Sequence, residues 1–242
     1  MLSDTEARNA LIVALDCDRA RALELTDLLA DHARWVKVGM TLFYRYGPGI
    51  VQEMKDRGFN VFLDLKVHDI PFQVHGAVRS ASLSGADIIS IHALGGSHMI
   101  ASGRSGAAEA AEIRGVGEGG RTKLVAISIL TSMNEEDLSS IGVRDTVASE
   151  VERLAKLSYS AGADGLVCSA QEASSMREIL GPEALIITPG IRPRGAEKGD
   201  QQRTATPASA IAAGASKLVI GRPITEAKDP CMAFEEIVKE LI

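Results

Sequence analysis

Phe62-Leu63-Asp64-Leu65-Lys66-Val67-His68-Asp69-Ile70-Pro71 sets three charges, Asp64, Lys66 and Asp69, into a run otherwise patterned as a buried strand. Successive strand side chains alternate faces, so Asp64 and Lys66 share one, roughly 7 Å apart along the chain at ~3.3 Å per residue. Buried carboxylates and ammoniums must pair or shift their pKa. An acid and a base side by side at a strand end are either an ion pair capping the strand or a poised proton donor. The stretch alone leaves both open.

Working outward, short β-branched runs recur at 11–15, 35–38, 60–65, 87–92, 123–130, 165–168, 185–188 and 217–220, which predicts eight strands. Amphipathic segments follow them, for example at 19–30, 50–56, 146–160 and 233–241. Helices alternating with strands imply parallel pairing through right-handed crossovers, and eight such units close into a (β/α)₈ TIM barrel. An open doubly wound sheet also alternates in this way, but the strand count favours the barrel. Ser84-Gly85-Ala86-Asp87, Ala161-Gly162-Ala163-Asp164 and Ala213-Gly214-Ala215-Ser216 place a helix-stopping glycine before a strand. Gly115 to Gly120 reads as a loop before strand five.

The chain has 242 residues, a length that a barrel reaches as one unit. No linker divides it, so residues 1–242 are expected to form a single barrel domain with a short N-terminal extension. Hydrophobic residues make up 45% and aromatic residues 4%, which suits an aliphatic parallel sheet wrapped by helices. A net charge of −6 argues against nucleic acid as a partner while allowing a local pocket for one phosphate. Cys17, Cys168 and Cys231 form no CxxC pair and read as reduced thiols of a cytoplasmic protein. The charged start MLSDTEARNA lacks a signal core, and no run is long enough for a membrane span.

In a barrel the chemistry sits at the carboxyl ends of the strands. Asp16 follows strand one, Lys37 precedes Gly39 on strand two, and strand three brings Asp64, Lys66 and Asp69. Strand four ends at His92, strand five runs into Thr131-Ser132, strand seven into Pro189-Gly190-Ile191-Arg192, and strand eight into Gly221-Arg222. Barrels often hold a phosphate at the loops after strands seven and eight. Gly190 and Gly221 permit close backbone approach, and Arg192 and Arg222 supply planar donors matched to phosphate oxygens. A phosphorylated small molecule is the expected substrate class.

Other polar residues carry less. His32, His75 and His98 read as solvated or packed, His92 as a structural hydrogen bond, and Glu135-Glu136-Asp137 as an exposed helix start. His68 has no second ligand at metal spacing, so no metal site is expected.

Together, Leu-Asp at 15–16, Val-Lys-Val-Gly at 36–39, Leu-Asp-Leu-Lys-Val-His-Asp-Ile-Pro at 63–71, Leu-Thr-Ser-Met at 130–133, Thr-Pro-Gly-Ile-Arg-Pro at 188–193, Gly-Asp-Gln at 199–201 and Gly-Arg-Pro-Ile at 221–224 resemble the orotidine 5′-phosphate decarboxylase family. The resemblance implies conversion of orotidine 5′-monophosphate to uridine 5′-monophosphate without a cofactor. It makes Lys66 the acid that protonates C6, with Asp64 against the substrate carboxylate and Lys37, Asp64, Lys66 and Asp69 in an alternating charge network. It assigns ribose contacts to Asp16 and Lys37, and Asp69 to the neighbouring subunit's site in a homodimer. Thr131 and Ser132 would face the pyrimidine; Arg192, Gln201, Gly221 and Arg222 would hold the phosphate under a loop at 194–202. One departure stands out: Phe72-Gln73 replaces the family's usual Asn-Thr. The nearest alternative is a magnesium-dependent phosphosugar decarboxylase or synthase of the same barrel superfamily, which a chelator would distinguish; a non-catalytic nucleotide-binding barrel is a further one.

Overall fold

The computed structural model describes residues 1–193 and 204–242; Gln201 and the loop expected at 194–202 lie outside the described residues. Eight strands form: β1 (Leu11–Ala14), β2 (Trp35–Gly39), β3 (Asn60–Val67), β4 (Ile88–His92), β5 (Lys123–Ile127), β6 (Gly165–Val167), β7 (Leu185–Thr188) and β8 (Lys217–Ile220). Each pairs in parallel with the next, and β8 returns to β1 to close the barrel. The fifth strand ends at Ile127, shorter than expected, although the Ser128 N–H still donates to the Val167 carbonyl at 3.4 Å.

The expected helices form at Arg19–Leu29, Gly49–Asp56, Val147–Ser160 and Pro230–Leu241, each facing the barrel with its apolar side. Local chemistry sets their starts: Asp18 accepts the Arg21 amide, Thr146 that of Ser149 and Asp229 that of Met232. Gly85, Gly162 and Gly214 take φ of 96°, 98° and 98°, the left-handed turn predicted before strands four, six and eight. Glu135, Glu136 and Asp137 occupy an exposed first helical turn, where Asn134 and Asp137 cap reciprocally.

Strand alternation divides the core in two. Val13, Val36, Leu63, Ile89, Leu124, Leu166, Ile186 and Leu218 point outward into the layer shared with the helices. Ile12, Phe62, Ile88, Val125, Val167, Ile187 and Val219 point inward and pack into an apolar ring across the barrel. Below that ring the amino-terminal end is closed by Lys217, whose ammonium lies 3.9 Å from the centroid of the Trp35 ring and donates to the Asn9 carbonyl at 2.7 Å. Burial pushes the Lys217 ammonium down to about 8, against the opposing pull of Asp87. Above the ring the interior opens.

Candidate active site

A cavity of about 660 Å³ occupies the carboxyl end of the barrel. Ala14, Phe62, Ile127, Val167 and Val219 form its apolar floor, and Asp16, Lys37, Asp64, Lys66, Thr131, Arg192, Gly221 and Arg222 are among its polar lining. The inward-facing period of each strand explains this: the positions that are apolar within the ring become charged one step higher.

The β3 end departs from regular alternation. Its pairing with β4 runs Phe62 with Ile88 and Leu63 with Ile89, then slips and resumes at Val67 with Ile91. Lys66 takes φ 54°, the single positive value among described non-glycine residues. A bulge with a left-handed lysine costs backbone energy, and such strain is concentrated where a side chain must be aimed. Ser90 secures it. Its buried hydroxyl accepts the Lys66 amide at 2.9 Å and donates to Asp64 Oδ1 at 2.8 Å.

The charges alternate across three strands. Lys66 Nζ lies 2.9 Å from Asp64 Oδ2, Lys37 Nζ lies 3.8 Å from that same oxygen, and Lys37 Nζ donates to Asp16 Oδ1 at 2.8 Å. Gly39 leaves the room this needs, since a Cβ there would stand 2.8 Å from Asp16 Oδ1 and 3.1 Å from Lys37 Nζ. Burial alone would raise the Asp64 carboxyl; the charges of Lys37 and Lys66, with hydrogen bonds from Lys66 and Ser90, overcome it and hold the group below the ordinary carboxylate range. Asp64 is therefore an anion at neutral pH, although its side chain is only 13% exposed.

Asp69 lies outside this chain of charges: it is exposed and accepts the adjacent Ile70 amide at 2.6 Å. Thr131 lines the cavity, whereas Ser132 beside it is exposed and outside the lining. Gly190, with φ 76°, turns the chain after β7 so that Arg192 lines the cavity wall. His92 holds the structural role expected of it, its Nδ1 accepting the Leu94 amide at 3.3 Å, and its ring stacks on His68 with centroids 5.5 Å apart. Burial, then the charges of His68 and Lys66, push the His92 imidazole down. Cys17 lines the cavity, but burial and two neighbouring aspartates raise its thiol, making it a poor nucleophile. All three cysteines are free.

Fold and site together define a TIM-barrel enzyme whose cavity sets alternating lysines and carboxylates beside a wall that carries Arg192 and Arg222. A family model described as the orotidine 5′-phosphate decarboxylase / HUMPS family matches residues 9–237. The orotidine 5′-phosphate decarboxylase of Chromohalobacter salexigens is 46% identical over 232 residues, covering 96% of this chain and 95% of that protein. That of Vibrio cholerae is 46% identical over 233 residues, covering 96% and 98%. The crystal structure of orotidine 5′-phosphate decarboxylase from Lactobacillus acidophilus superposes with a TM-score of 0.83 at 38% identity, covering 96% of this chain and 98% of that one. The chain belongs to the orotidine 5′-phosphate decarboxylase / HUMPS family.

Proposed function

We propose that Lys66 is the proton donor in the decarboxylation of orotidine 5′-monophosphate to uridine 5′-monophosphate and carbon dioxide, a step of de novo pyrimidine biosynthesis. The observation that carries this assignment is the Lys66 ammonium, aimed into the cavity by a strained bulge and held 2.9 Å from an ionised, largely buried Asp64. When the bond from C6 to the carboxylate breaks, its electron pair stays on C6, where no adjacent carbonyl delocalises it. A fixed cation beside that carbon stabilises the developing charge and then delivers its proton, leaving a C6–H bond and a neutral amine. Asp64 pairs with the Lys66 ammonium and repels the substrate carboxylate, while Lys37 balances Asp64 on its other side.

Asp16 and Lys37, joined at 2.8 Å, are the ribose-binding pair in this reading, and Thr131 faces the pyrimidine, whereas Ser132, exposed and outside the lining, does not. Arg192, Gly221, Arg222 and Gln201 take the phosphate. Binding energy from that remote group lowers the barrier at C6 as well as KM. The test is absorbance of orotidine 5′-monophosphate mixed with purified protein in chelator-containing buffer, with the product weighed by mass spectrometry. Conversion is expected for the parent and none for Lys66→Ala, which should still bind uridine 5′-monophosphate. Near-parental turnover by Lys66→Ala would reject the proton-donor role, and a loss reversed by magnesium would turn the assignment toward the phosphosugar enzymes.

We further infer that residues 1–242 form one barrel unit acting in the cytoplasm as a homodimer with shared sites. Asp69 turns away from its own cavity, and Met40, Tyr44, Ile70, Phe72 and Leu94 leave an apolar fringe exposed at the same rim, Phe72 by 82%. In this arrangement Asp69 completes the partner's charge network and Gln73 stands where the family's threonine hydroxyl would reach across. Mixing Lys66→Ala with Asp69→Ala protein should restore activity, because one site of each mixed dimer is then intact. Two inactive variants that stay inactive when mixed and refolded would exclude a shared site. Among the described residues, no helix is long and apolar enough to cross a membrane.

A further inference from the structure

Arg21 is a third arginine on the wall that carries Arg192 and Arg222, and no motif of the chain points to it. It lies in the first turn of the helix Arg19–Leu29, its amide accepted by Asp18 at 2.9 Å. Its guanidinium reaches two ways. Nη2 donates to the Thr225 carbonyl at 2.8 Å, a link spanning 204 residues of sequence, and Nη1 pairs with Glu24 at 2.8 Å. Thr225 ends the four-residue helix that begins at Arg222, directly after Gly221. The same guanidinium thus anchors the far end of the turn whose near end presents Arg222 and the Gly221 backbone. Thr225 and Glu226 line the cavity beside it, so the tether lies against the ligand volume and not behind it.

We propose that Arg21 is a positioning residue for the substrate's phosphate, fixing the Gly221–Thr225 turn and keeping a cation beside it. This rests on the decarboxylase reading above. A carbonyl at the end of a short helix has no partner within that helix; a rigid guanidinium fork held in turn by Glu24 supplies one at a set distance. Without it the turn gains freedom, and binding must spend part of the phosphate interaction on ordering it. The hydrogen bonds and ion pair of Arg21 go to Asp18, Thr225 and Glu24 and not to Lys66, Asp64 or Ser90, so the loss should fall on ligands that carry a phosphate and spare those that do not.

The experiment compares inhibition by uridine 5′-monophosphate and by uridine, with kcat and KM for orotidine 5′-monophosphate, in the parent, Arg21→Ala and Arg21→Lys. Arg21→Ala should weaken the monophosphate about 10-fold, the scale of one charge-assisted hydrogen bond, and leave uridine unchanged. KM should rise more than kcat falls, and Arg21→Lys, which keeps a cation and a donor toward Thr225, should recover most of the loss. Arg21→Gln, with similar reach and no charge, serves for the same comparison should Arg21→Ala fail to fold. Equal losses for monophosphate and uridine, or none for either, would overturn the proposal. A parent that does not convert orotidine 5′-monophosphate would instead count against the decarboxylase reading itself.

Discussion

Replacing Ser90 with alanine removes one oxygen from a fully buried site and tests the whole β3 arrangement. The hydroxyl donates to Asp64 Oδ1 at 2.8 Å and accepts the Lys66 amide at 2.9 Å. A hydrogen bond to a charged group contributes roughly 1.5–3 kcal/mol, and a buried amide left without a partner costs about 1–3 kcal/mol. The two losses share one hydroxyl and do not add fully, so Ser90→Ala should lower unfolding free energy by about 3 kcal/mol. Catalysis should suffer too, because the bulge that aims Lys66 loses its brace and Asp64 loses one of the interactions that hold it ionised. A loss of about 2 kcal/mol in transition-state binding corresponds to roughly 30-fold in kcat/KM. Steady-state absorbance assays and urea unfolding measure both quantities on the same preparation. If kcat/KM stays within about twofold of the parent and the unfolding midpoint does not move, the hydroxyl is not what braces Lys66.

Arg222→Ala should weaken uridine 5′-monophosphate binding by roughly 2 kcal/mol and leave uridine untouched, as a competitive inhibition series will show. Glu235 accepts two hydrogen bonds from Arg8 at 2.7 and 2.8 Å and one contact from His32, and the Arg8 interaction leads in holding its carboxyl at about 2. A depressed folded pKa gives stability that is fully present above the unfolded value of about 4.3 and lost as pH falls toward 2. The stability gap between the parent and Glu235→Gln should therefore narrow across that window in denaturation series at successive pH values; a constant gap would refute the linkage. Gly106, on the helix Gly96–Arg114, faces the His75 carbonyl of the helix Pro71–Leu83, and a Cβ there would stand 2.3 Å from that oxygen. Gly106→Ala should separate the helices and cost about 2 kcal/mol in thermal or urea unfolding, with turnover retained below the transition.

The barrel was legible because its strands are apolar on both faces and helices stop at the glycines at 85, 162 and 214 just before the next strand, signals carried by local sequence. The charged rim was legible for the same reason: Lys37, Asp64 and Lys66 interrupt runs in which an isolated charge is costly. Alternation placed Asp64 and Lys66 on one face, yet it could not reveal that Lys66 arrives there through a left-handed backbone and a slipped register. Bulges depend on the partner strand, and nothing in 62–71 names β4. Ser90 escaped notice as an ordinary serine, although a hydroxyl amid the isoleucines of Ile88–His92 was a signal, since a buried hydroxyl needs partners. Arg21 was hidden more deeply, because its meaning depends on a carbonyl at the other end of the chain.

The apolar ring of Ile12, Phe62, Ile88, Val125, Val167, Ile187 and Val219 acts as an insulator beneath Lys66. With Lys66 as the proposed proton donor, each turnover would leave it a neutral amine, and the ring offers no hydrogen-bonding side chain through which a proton could rise from the amino-terminal end. Lys217, the cation below it, is engaged instead by the Trp35 ring and the Asn9 carbonyl. On that proposal Lys66 is recharged from the cavity at the carboxyl end of the barrel, the side on which it meets the substrate.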